Sequence, residues 1–472
     1  MISSISALFA RGRGPVRLAA AAVASGVVAV GLLATAGTAA AAEVTQSQGG
    51  ATATIGGLKT YGAAVVHAEG GDQEVSAGLF EMSVEGGGTL QTYCVDLYNP
   101  TQRDAKYHET PWSGTLLAAN RNAGRIRWIL QNSYPQVNDL ASLADKAGIG
   151  AGLTEQDAAA GTQVAIWRYS DGAAVDAVDP QAERLADYLQ KAARVVAEPT
   201  ASLTLDAPAV SGSPGELLGP VTVHTNATSA TVTPPVDAAT SGVRIVGKDG
   251  KPLTAVSDGS QLFFDVPADT AAGSAELTVQ ASTTVPVGRA FTSDSRSQTQ
   301  ILAGSSESTV SATASATWAL KGAIPALSAA KNCAKSGVDI AAANRGDEAF
   351  TFELMGVQHT VPAGGSGTVT IPLQEDQAYD FSIVGPRGDQ NRFTGVLDCR
   401  TQADEIAGLT TQTLSEPSPA TVGGVSTADD TDLAATGGSS ATPLIAGTAI
   451  GLVVVGGAAL LLVGRKENGS QR

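Results

Sequence analysis

Alternation of apolar and polar residues predicts short strands in the first part of the chain. Ser76–Ser83 and Thr89–Tyr98 follow this pattern on either side of a glycine triplet, which predicts a turn. Two other segments, Asn120–Gln131 and Gln181–Val196, place their apolar residues three and four positions apart, as on one side of a helix. Residues 60–198 are therefore predicted to form a mixed α and β domain of the α+β class.

Further along the chain, short runs rich in β-branched residues alternate with Gly, Pro, Asp and Ser turns. This spacing over residues 199–325 predicts an immunoglobulin-like β-sandwich, and a similar pattern over 326–405 predicts a second small all-β domain. Residues 406–432 are rich in Ser, Thr, Pro and Gly without an apolar period, which indicates a flexible, disordered linker. The chain is thus expected to be multidomain, with one α+β domain followed by two small all-β domains.

Both ends of the chain carry signals of export. Residues 1–42 combine early arginines with an apolar run and small residues, the layout of a secretory signal peptide, and residues 43–59 are predicted to be a short leader. Residues 441–463 contain no charged side chain and are long enough for a C-terminal transmembrane helix, since about 20 apolar residues suffice. The basic tail 464–472 favours retention on the cytoplasmic side.

The charge of the chain restricts its partners. Its formal net charge is −16, and only 4% of its residues are aromatic. Nucleic-acid binding needs concentrated Lys and Arg to neutralise phosphates, so this acidic balance argues against it. We expect neither a metal nor a cofactor, and the low aromatic content favours small β-domains over a large enzyme core.

The chain contains three cysteines, and an odd number in an exported protein requires an explanation. Cys333 and Cys399 flank the predicted strands of the last β-domain, so they are natural disulfide partners in an oxidising compartment. Closing a loop of that length stabilises a fold by about 4 kcal/mol in the chain-entropy model. Cys94 is then left over, and its alternatives are a dimerising thiol or a disulfide with Cys333 or Cys399.

A third predicted helix carries a glutamine on its apolar side. It starts at Thr154, whose hydroxyl can cap the helix while Asp157 reaches back in a variant of the capping box. Gln163 shares a face with Ile166 and Trp167 through spacings of three and four residues. An unpaired buried amide costs about 1–3 kcal/mol, so this side chain must be hydrogen-bonded or chemically altered.

Two short motifs connect this glutamine with Cys94. Tyr93-Cys94-Val95-Asp96, and the Thr-Gln-x-Ala signature within Thr162-Gln163-Val164-Ala165-Ile166-Trp167, resemble the two halves of a thioester domain, a family found in surface proteins of Gram-positive bacteria. The resemblance implies that the Cys94 sulfur is acylated by the Gln163 side chain with loss of ammonia. Burial then keeps water from the acyl–sulfur bond until a target amine or hydroxyl attacks it.

Three neighbouring residues are candidates for supporting this bond. Asp96 shares the Cys94 face of the predicted strand and is the nearest group in sequence for proton transfer, with a hydrogen bond at the strand end as its alternative role. Thr162 and Trp167 belong to the same motif as Gln163 and complete the expected site.

The segment Leu433-Ala434-Ala435-Thr436-Gly437 resembles a sortase sorting signal of the Leu-Ala-x-Thr-Gly form, with an apolar helix and a basic tail where such a signal requires them. The resemblance implies that a class E-like sortase cuts between Thr436 and Gly437 and joins the chain to peptidoglycan. The helix 441–463 then holds the protein in the membrane only until sorting. A permanent membrane stalk is the alternative.

Together these features predict a secreted, cell-wall-anchored adhesin on the extracellular face, which captures an unidentified surface ligand covalently and is not an enzyme. One rival is a secreted cysteine enzyme, transglutaminase-like or a peptidase, with Cys94 as nucleophile and His67 or His108 as base. Another is an inert wall-decorating stalk without a thioester. Lys248 or Lys251 would be the lysine of an isopeptide bond in the stalk, but each lies beside a glycine turn and is expected to be solvated.

Overall fold

The computed structural model describes residues 44–45, 49–68, 70–150 and 152–400. The predicted signal peptide 1–42, linker 406–432, sorting signal 433–437, apolar helix 441–463 and basic tail 464–472 lie outside these residues. No helix among the described residues is long and apolar enough to cross a membrane. The described chain is mostly β-structure arranged in several sheets.

Strands account for most of the elements, and the longer helices all lie in the first half of the described chain. The early strands are β1 (Val44–Thr45), β2 (Thr52–Ala68), β3 (Gly71–Val84), β4 (Thr89–Cys94), β5 (Lys106–Thr110) and β6 (Val175–Ala177). The middle strands are β7 (Leu203–Asp206), β8 (Ala209–Gly212), β9 (Leu217–Thr225), β10 (Ala230–Thr233), β11 (Arg244–Val246), β12 (Ala255–Val256), β13 (Gln261–Asp265), β14 (Gly273–Thr284), β15 (Ala290–Ser293), β16 (Gln300–Ser305) and β17 (Glu307–Trp318). The last strands are β18 (Pro325–Asn332), β19 (Gly337–Asn344), β20 (Phe350–Leu354), β21 (Val357–Val361), β22 (Ser366–Pro372), β23 (Ala378–Val384) and β24 (Gln390–Val396). The helices are α1 (Ala123–Asn132), α2 (Leu140–Lys146), α3 (Glu155–Ser170), α4 (Pro180–Ala192) and α5 (Ala238–Ser241), with 3-10 turns at Trp112–Gly114, Leu116–Ala118 and Cys333–Lys335.

A seven-stranded sheet organises the first part of the chain, in the order β3-β4-β16-β15-β5-β2-β6. β2 and β3 also pair along most of their length, so the strands from β3 round to β2 close on themselves. Full closure removes unpaired strand edges, which otherwise invite pairing with other chains. Cys94 is the last residue of β4 and is fully buried.

Two strands of this sheet come from the segment 199–325, which the sequence pattern assigns to a separate β-sandwich. β15 pairs with β5, and β16 pairs with β4. The chain leaves the sandwich after β14, contributes these strands to the first sheet and returns as β17, so a boundary at residue 198 does not separate the two structures. Periodicity predicts that a segment is a strand but not its partner, because pairing joins residues that are far apart in sequence.

The predicted helices are present with shifted ends. α1 overlaps the predicted helix Asn120–Gln131 but starts three residues later. α4 overlaps the predicted helix Gln181–Val196 but ends four residues earlier. The capping box of Thr154 and Asp157 at the start of α3 is confirmed, with each side chain bonded to the backbone N–H of the other. α3 is buried on nearly all sides over residues 158–167, rather than along one apolar stripe.

The middle strands form two sheets whose buried side chains pack into one apolar interior. The strand orders of these two sheets are β12-β10-β14-β17-β8 and β11-β13-β9-β7. The middle strands β15 and β16 belong to the first sheet instead. β17 alternates as a sandwich strand should, with every second side chain buried. Lys248 is exposed, and Lys251 is 80% exposed and paired with Asp249, so both have the solvated positions expected of turn lysines.

The last strands enclose a second apolar core around Val338, Ile340 and Phe350. Cys333 and Cys399 are joined in a disulfide with their Cα atoms 5.2 Å apart, at one end of this core. The disulfide closes a loop that contains strands β19 to β24. The predicted pairing of these two cysteines is therefore confirmed.

Residues 43–59 differ from the leader that their small-residue composition predicts. β1 pairs in parallel with β24, and β2 begins at Thr52 and runs through the rest of this segment. Ala51, Ala53 and Ile55 are buried in alternation with more exposed neighbours. Small residues suit this strand because it lies between two others, a constraint that composition alone does not reveal.

A buried ion pair fixes the first sheet to the chain that enters the sandwich. Arg289 Nε donates to Glu109 Oε1 at 2.8 Å, and the two side chains are only 4% and 1% exposed. The same Glu109 oxygen accepts from Ser202 N at 2.9 Å, and Arg289 Nη1 donates to Glu198 Oε1 at 2.9 Å. The connection from α4 to β7 is therefore held by charge-assisted bonds from β5 and from the segment before β15.

Candidate functional site

Cys94 and Gln163, which are 69 residues apart in sequence, are in direct contact. Cys94 N donates to Gln163 Oε1 at 3.0 Å, and Gln163 Nε2 donates to Cys94 O at 2.9 Å. Both side chains have 0% exposure. The carboxamide is thus held by both backbone groups of the cysteine and is shielded from water.

Small residues on α3 allow this approach. A Cβ added to Gly62 of β2 would lie 3.0 Å from Ala160 Cβ, tighter than nearly all such contacts, and one added to Gly161 would lie 2.4 Å from Ala182 O. α3 therefore packs closely against both the sheet and α4. The run of alanines and glycine before Gln163 brings its side chain within reach of β4.

A second glutamine, Gln300, touches the sulfur. β16 places Gln300 directly opposite Cys94 in the antiparallel pairing, and its Nε2 lies 3.4 Å from Cys94 Sγ. Thr92 Oγ1 donates to Gln300 Oε1 at 3.0 Å, and Thr101 Oγ1 lies 3.5 Å from Gln300 Nε2. All these side chains are buried, so the sulfur lies in a closed polar pocket.

Residues 91–195 match the family model described as TED: Thioester domain. The match starts just before Cys94 and includes Gln163. Thioester domains are reactive covalent-binding modules and belong to surface proteins, which agrees with the coarse prediction from the two motifs. The matched segment covers α1 to α4 but contains neither β15 nor β16, so the closed sheet extends beyond it.

Solved structures of the same kind are also similar to the chain. The TIE protein of Bacillus anthracis is 15% identical, with a TM-score of 0.27, over 74% of this chain and 81% of that one. The thioester domain of the TIE86 protein of Enterococcus faecium is 18% identical, with a TM-score of 0.26, over 59% of this chain and 98% of that one. None of the curated proteins matches the sequence.

Burial has the largest effect on the acidity of Cys94. It raises the pKa of the Cys94 thiol, while hydrogen bonds from Gln300 and Thr101 act in the opposite direction more weakly. An unreacted Cys94 is therefore a neutral thiol at physiological pH, whereas nucleophilic enzyme cysteines have lowered pKa values. The environment suits a sulfur that is held in a bond better than a free thiolate.

The two histidines proposed as enzyme bases lie elsewhere in the described chain. His67 bonds to Asp72 at 2.8 Å and to Asp176 at 3.2 Å on the surface. His108 bonds to Asp294 at 2.8 Å and to the hydroxyl of Thr52. Neither of them is hydrogen-bonded to Cys94, so the arrangement of base and nucleophile that a cysteine enzyme needs is not formed by these residues.

The three supporting candidates have different surroundings. Asp96 lies beyond the end of β4, so the prediction that it shares a strand face with Cys94 is wrong. Its Oδ1 accepts a hydrogen bond from Tyr98 N at 3.3 Å, which matches the alternative role of a hydrogen bond at the strand end. Thr162 Oγ1 donates to Ala158 O within α3 at 2.6 Å. Trp167 is fully buried and lies about one helical turn after Gln163 on α3. Thr162 and Trp167 thus support the helix, and none of the three has a hydrogen bond to the Cys94 sulfur.

The sequence motifs missed the polar residues around the sulfur. Gln298, Thr299 and Gln300 are all fully buried, and with Ser297 they form a polar run just before the apolar Ile301. A polar run inside the segment predicted as a β-sandwich stalk is the signal that could have drawn attention to them. Their role depends on β16 joining the first sheet, which the sequence pattern does not predict.

A group of acidic side chains lies beside this region. Glu375, Asp376 and Asp398 place carboxylate oxygens within 4.8 Å of one another. Asp398 Oδ2 accepts from Thr299 Oγ1 at 2.7 Å, one residue before Gln300. Acidic clusters are common without a metal, and we assign none here. The contact links the last β-domain to the strand that carries Gln300.

Stability is expected to rise as the pH falls from about 8 to about 5, because Asp398 gains a proton in the folded state first. Burial raises the pKa of its carboxyl to about 7, and nearby Glu375 and Asp376 add to the rise while Thr299 and Lys331 oppose it. An unfolded aspartate has a pKa of about 3.9, so between these values only the folded state binds this proton. Urea denaturation at several pH values measures the slope, and Asp398→Asn should make it less steep without removing it, because burial also raises the pKa of Asp171 to about 7. An equal slope in both proteins would contradict this assignment.

Proposed function

We propose that the protein is a cell-surface adhesin that captures its target covalently through a thioester between Cys94 Sγ and the side-chain carbonyl carbon of Gln163. The observation that carries the proposal is the placement of the Gln163 carboxamide on the Cys94 backbone, at 3.0 and 2.9 Å, inside a fully buried site. The family match to thioester domains supports the same chemistry. A single-use bond of this kind needs no turnover.

Bond formation follows from this geometry. The sulfur adds to the Gln163 carbonyl carbon, the carbon–nitrogen bond breaks, and the thiol proton leaves with the nitrogen as ammonia. The Cys94 N–H already donates to Gln163 Oε1, where negative charge develops during the addition. A donor held in that position before reaction stabilises the tetrahedral intermediate without reorganisation. Proximity supplies much of the remainder, since oriented groups react as if at very high concentration.

Capture reverses the exchange at sulfur. A target amine or hydroxyl adds to the same carbonyl carbon, the carbon–sulfur bond breaks, and the nucleophile's proton ends on the Cys94 sulfur. Gln300 Nε2, 3.4 Å from that sulfur, donates to it as negative charge builds. Gln300 is therefore a positioning residue for the leaving sulfur, held in turn by Thr92.

Intact mass measurement tests the proposal. Residues 43–400 should be used, because a protein ending at residue 198 would lack β15, β16 and Gln300. We expect a freshly purified sample to lack the mass of one ammonia, and methylamine to abolish this deficit by forming an adduct on Gln163. A sample at its full encoded mass whose unfolded Cys94 is alkylated would contradict the thioester.

We further propose attachment to the cell wall through the sorting signal 433–437. The support is the resemblance of this segment to a sortase signal, followed by an apolar run and basic residues. A class E-like sortase and peptidoglycan would then be the partners at this end of the chain. The stalk would display the reactive domain to a surface ligand that carries an amine or hydroxyl.

Thr436→Ala is expected to prevent covalent attachment, because the threonine carbonyl is the group that a sortase transfers. The variant should appear in the medium or become extractable by detergent, while the parent protein stays with purified wall fragments after boiling in detergent. Thr431→Ala, a threonine substitution just outside the motif, is the matched control and should leave attachment unchanged. Wall-bound Thr436→Ala protein would contradict the proposal.

A further inference from the structure

The buried Cys94–Gln163 pair requires a route by which a ligand reaches it. Both side chains have 0% exposure, yet one cavity of about 380 Å³ reaches the residues around the sulfur. Ile55, Gly56, Gly57, Leu58 and Lys59 of β2 form one wall, and Thr101 to Asp104 form the other, with Phe80 between them. We refer to this space as the β2 cavity.

The inner end of the β2 cavity is one side chain from the reactive sulfur. Thr101 lines the cavity and lies 3.5 Å from Gln300 Nε2, which lies 3.4 Å from Cys94 Sγ. Phe80, the other inner residue, is the pairing partner of Thr92, whose hydroxyl bonds to Gln300. Thr101 therefore belongs both to the polar shell of the sulfur and to the inner wall of the cavity.

The outer end is formed by two irregular pieces of backbone. β2 departs from regular pairing with β3 between Ile55 and Gly57, and Gly57 has a φ of 105°. A Cβ added at Gly57 would meet nothing within 4 Å, so this bulge faces open space. Asp104 in the opposite loop has a φ of 54°. Bulges are common beside functional sites, where they interrupt pairing and open the surface.

We propose that the β2 cavity is the entry and binding site for the captured group, and that it accepts a side-chain-sized arm carrying an amine or hydroxyl next to acidic groups. This inference rests on the proposed thioester. A volume of about 380 Å³ lies at the low end for ligand pockets, enough for an extended side chain but not for a folded surface. The exposed Lys59 places a positive charge at the mouth, in a chain whose net charge is −16. Such a charge attracts acidic groups beside the incoming arm and speeds association.

The reaction at the end of this route balances without another reagent. The arm's amine or hydroxyl adds to the Gln163 carbonyl carbon, and the carbon–sulfur bond breaks with its electron pair on Cys94. The nucleophile loses one proton, and the sulfur gains it. Thr101, at the inner end of the cavity, offers a hydroxyl that can bond to either kind of nucleophile.

Blocking the mouth tests the inference. In residues 43–400, Lys59→Trp should still show the ammonia mass deficit but react with methylamine about tenfold more slowly, the low end of the penalty for hindering a reactant's approach. Lys321→Trp is the matched control, because Lys321 is also an exposed lysine at a cavity, of about 740 Å³, in another part of the described chain. Its rate should equal that of the parent. Equal rates for Lys59→Trp and the parent would overturn the inference.

Charge provides a second, independent measurement. Two short peptides with one lysine each, flanked by glutamates or by arginines, should react at rates that differ by about tenfold in favour of the acidic one at low salt. Lys59→Glu should reverse or erase this preference, and Lys321→Glu should not. If Lys59→Trp fails to form the thioester, the Lys59→Glu result decides, and an unchanged preference overturns the inference. A parent protein without the mass deficit would instead refute the proposed function itself.

Discussion

Cys94→Ala is expected to leave residues 43–400 at their full encoded mass and unable to take up methylamine. The alanine removes the only atom that can displace nitrogen from Gln163, so no acyl bond is stored. Gln163→Ala should give the same result, because it removes the carbonyl carbon that the sulfur attacks. Both effects are complete losses rather than reductions, and intact mass spectrometry with and without methylamine measures them.

Gln300→Ala is the control that separates the two glutamines near Cys94. Its amide touches the sulfur at 3.4 Å, whereas Gln163 bonds to the cysteine backbone. We expect Gln300→Ala to retain the mass deficit and to react more slowly, by about tenfold if it loses one hydrogen bond to a charged sulfur. If Gln300→Ala lost the deficit while Gln163→Ala kept it, Gln300 would be the acyl donor.

Arg289→Ala is expected to lower the free energy of unfolding by about 3–5 kcal/mol, because it leaves the Glu109 carboxylate buried without its cation. The two side chains are 4% and 1% exposed, so water cannot replace the lost partner. The substitution also frees Glu198, which holds the connection into the sandwich. Urea denaturation of residues 43–400, followed by circular dichroism, measures the change.

Arg244→Ala provides the comparison for an exposed pair. Arg244 is bonded to Asp265 on the sandwich surface and is 63% exposed. Solvent screens such pairs, so this substitution should change the free energy of unfolding by less than about 1 kcal/mol. Similar losses for both variants would show that the Arg289–Glu109 pair has no special place in the fold.

The local elements in the first part of the described chain could be predicted from the sequence. The Thr154–Asp157 capping box involves residues three positions apart, and it starts α3 where predicted. The glycine triplet marks the turn between β3 and β4, and the apolar spacing identifies α1 and α4. Signals of this kind depend on neighbours in sequence, which is why they survive without knowledge of the tertiary structure.

The composition of the sheets could not be predicted in the same way. Residues 43–59 appear as a leader in composition but supply β1 and the start of β2. β15 and β16 lie in the segment predicted as the stalk but complete the closed sheet to which β4 belongs. In both cases the tendency of a segment to form a strand depends on nearby residues. The strand with which it pairs depends on packing against residues that are distant in the sequence.

The sequence by itself predicted that Cys94 and Gln163 act together, since their motifs point to a nucleophile and an acyl donor whose chemistry is set by residue type. Only the tertiary structure decided what surrounds them: Gln300 lies on a strand from beyond the matched segment, and the β2 cavity is formed by a bulged strand and a distant loop. The reason is physical. Residue identity specifies which bonds can form, but distance, burial and access depend on which distant strands pair.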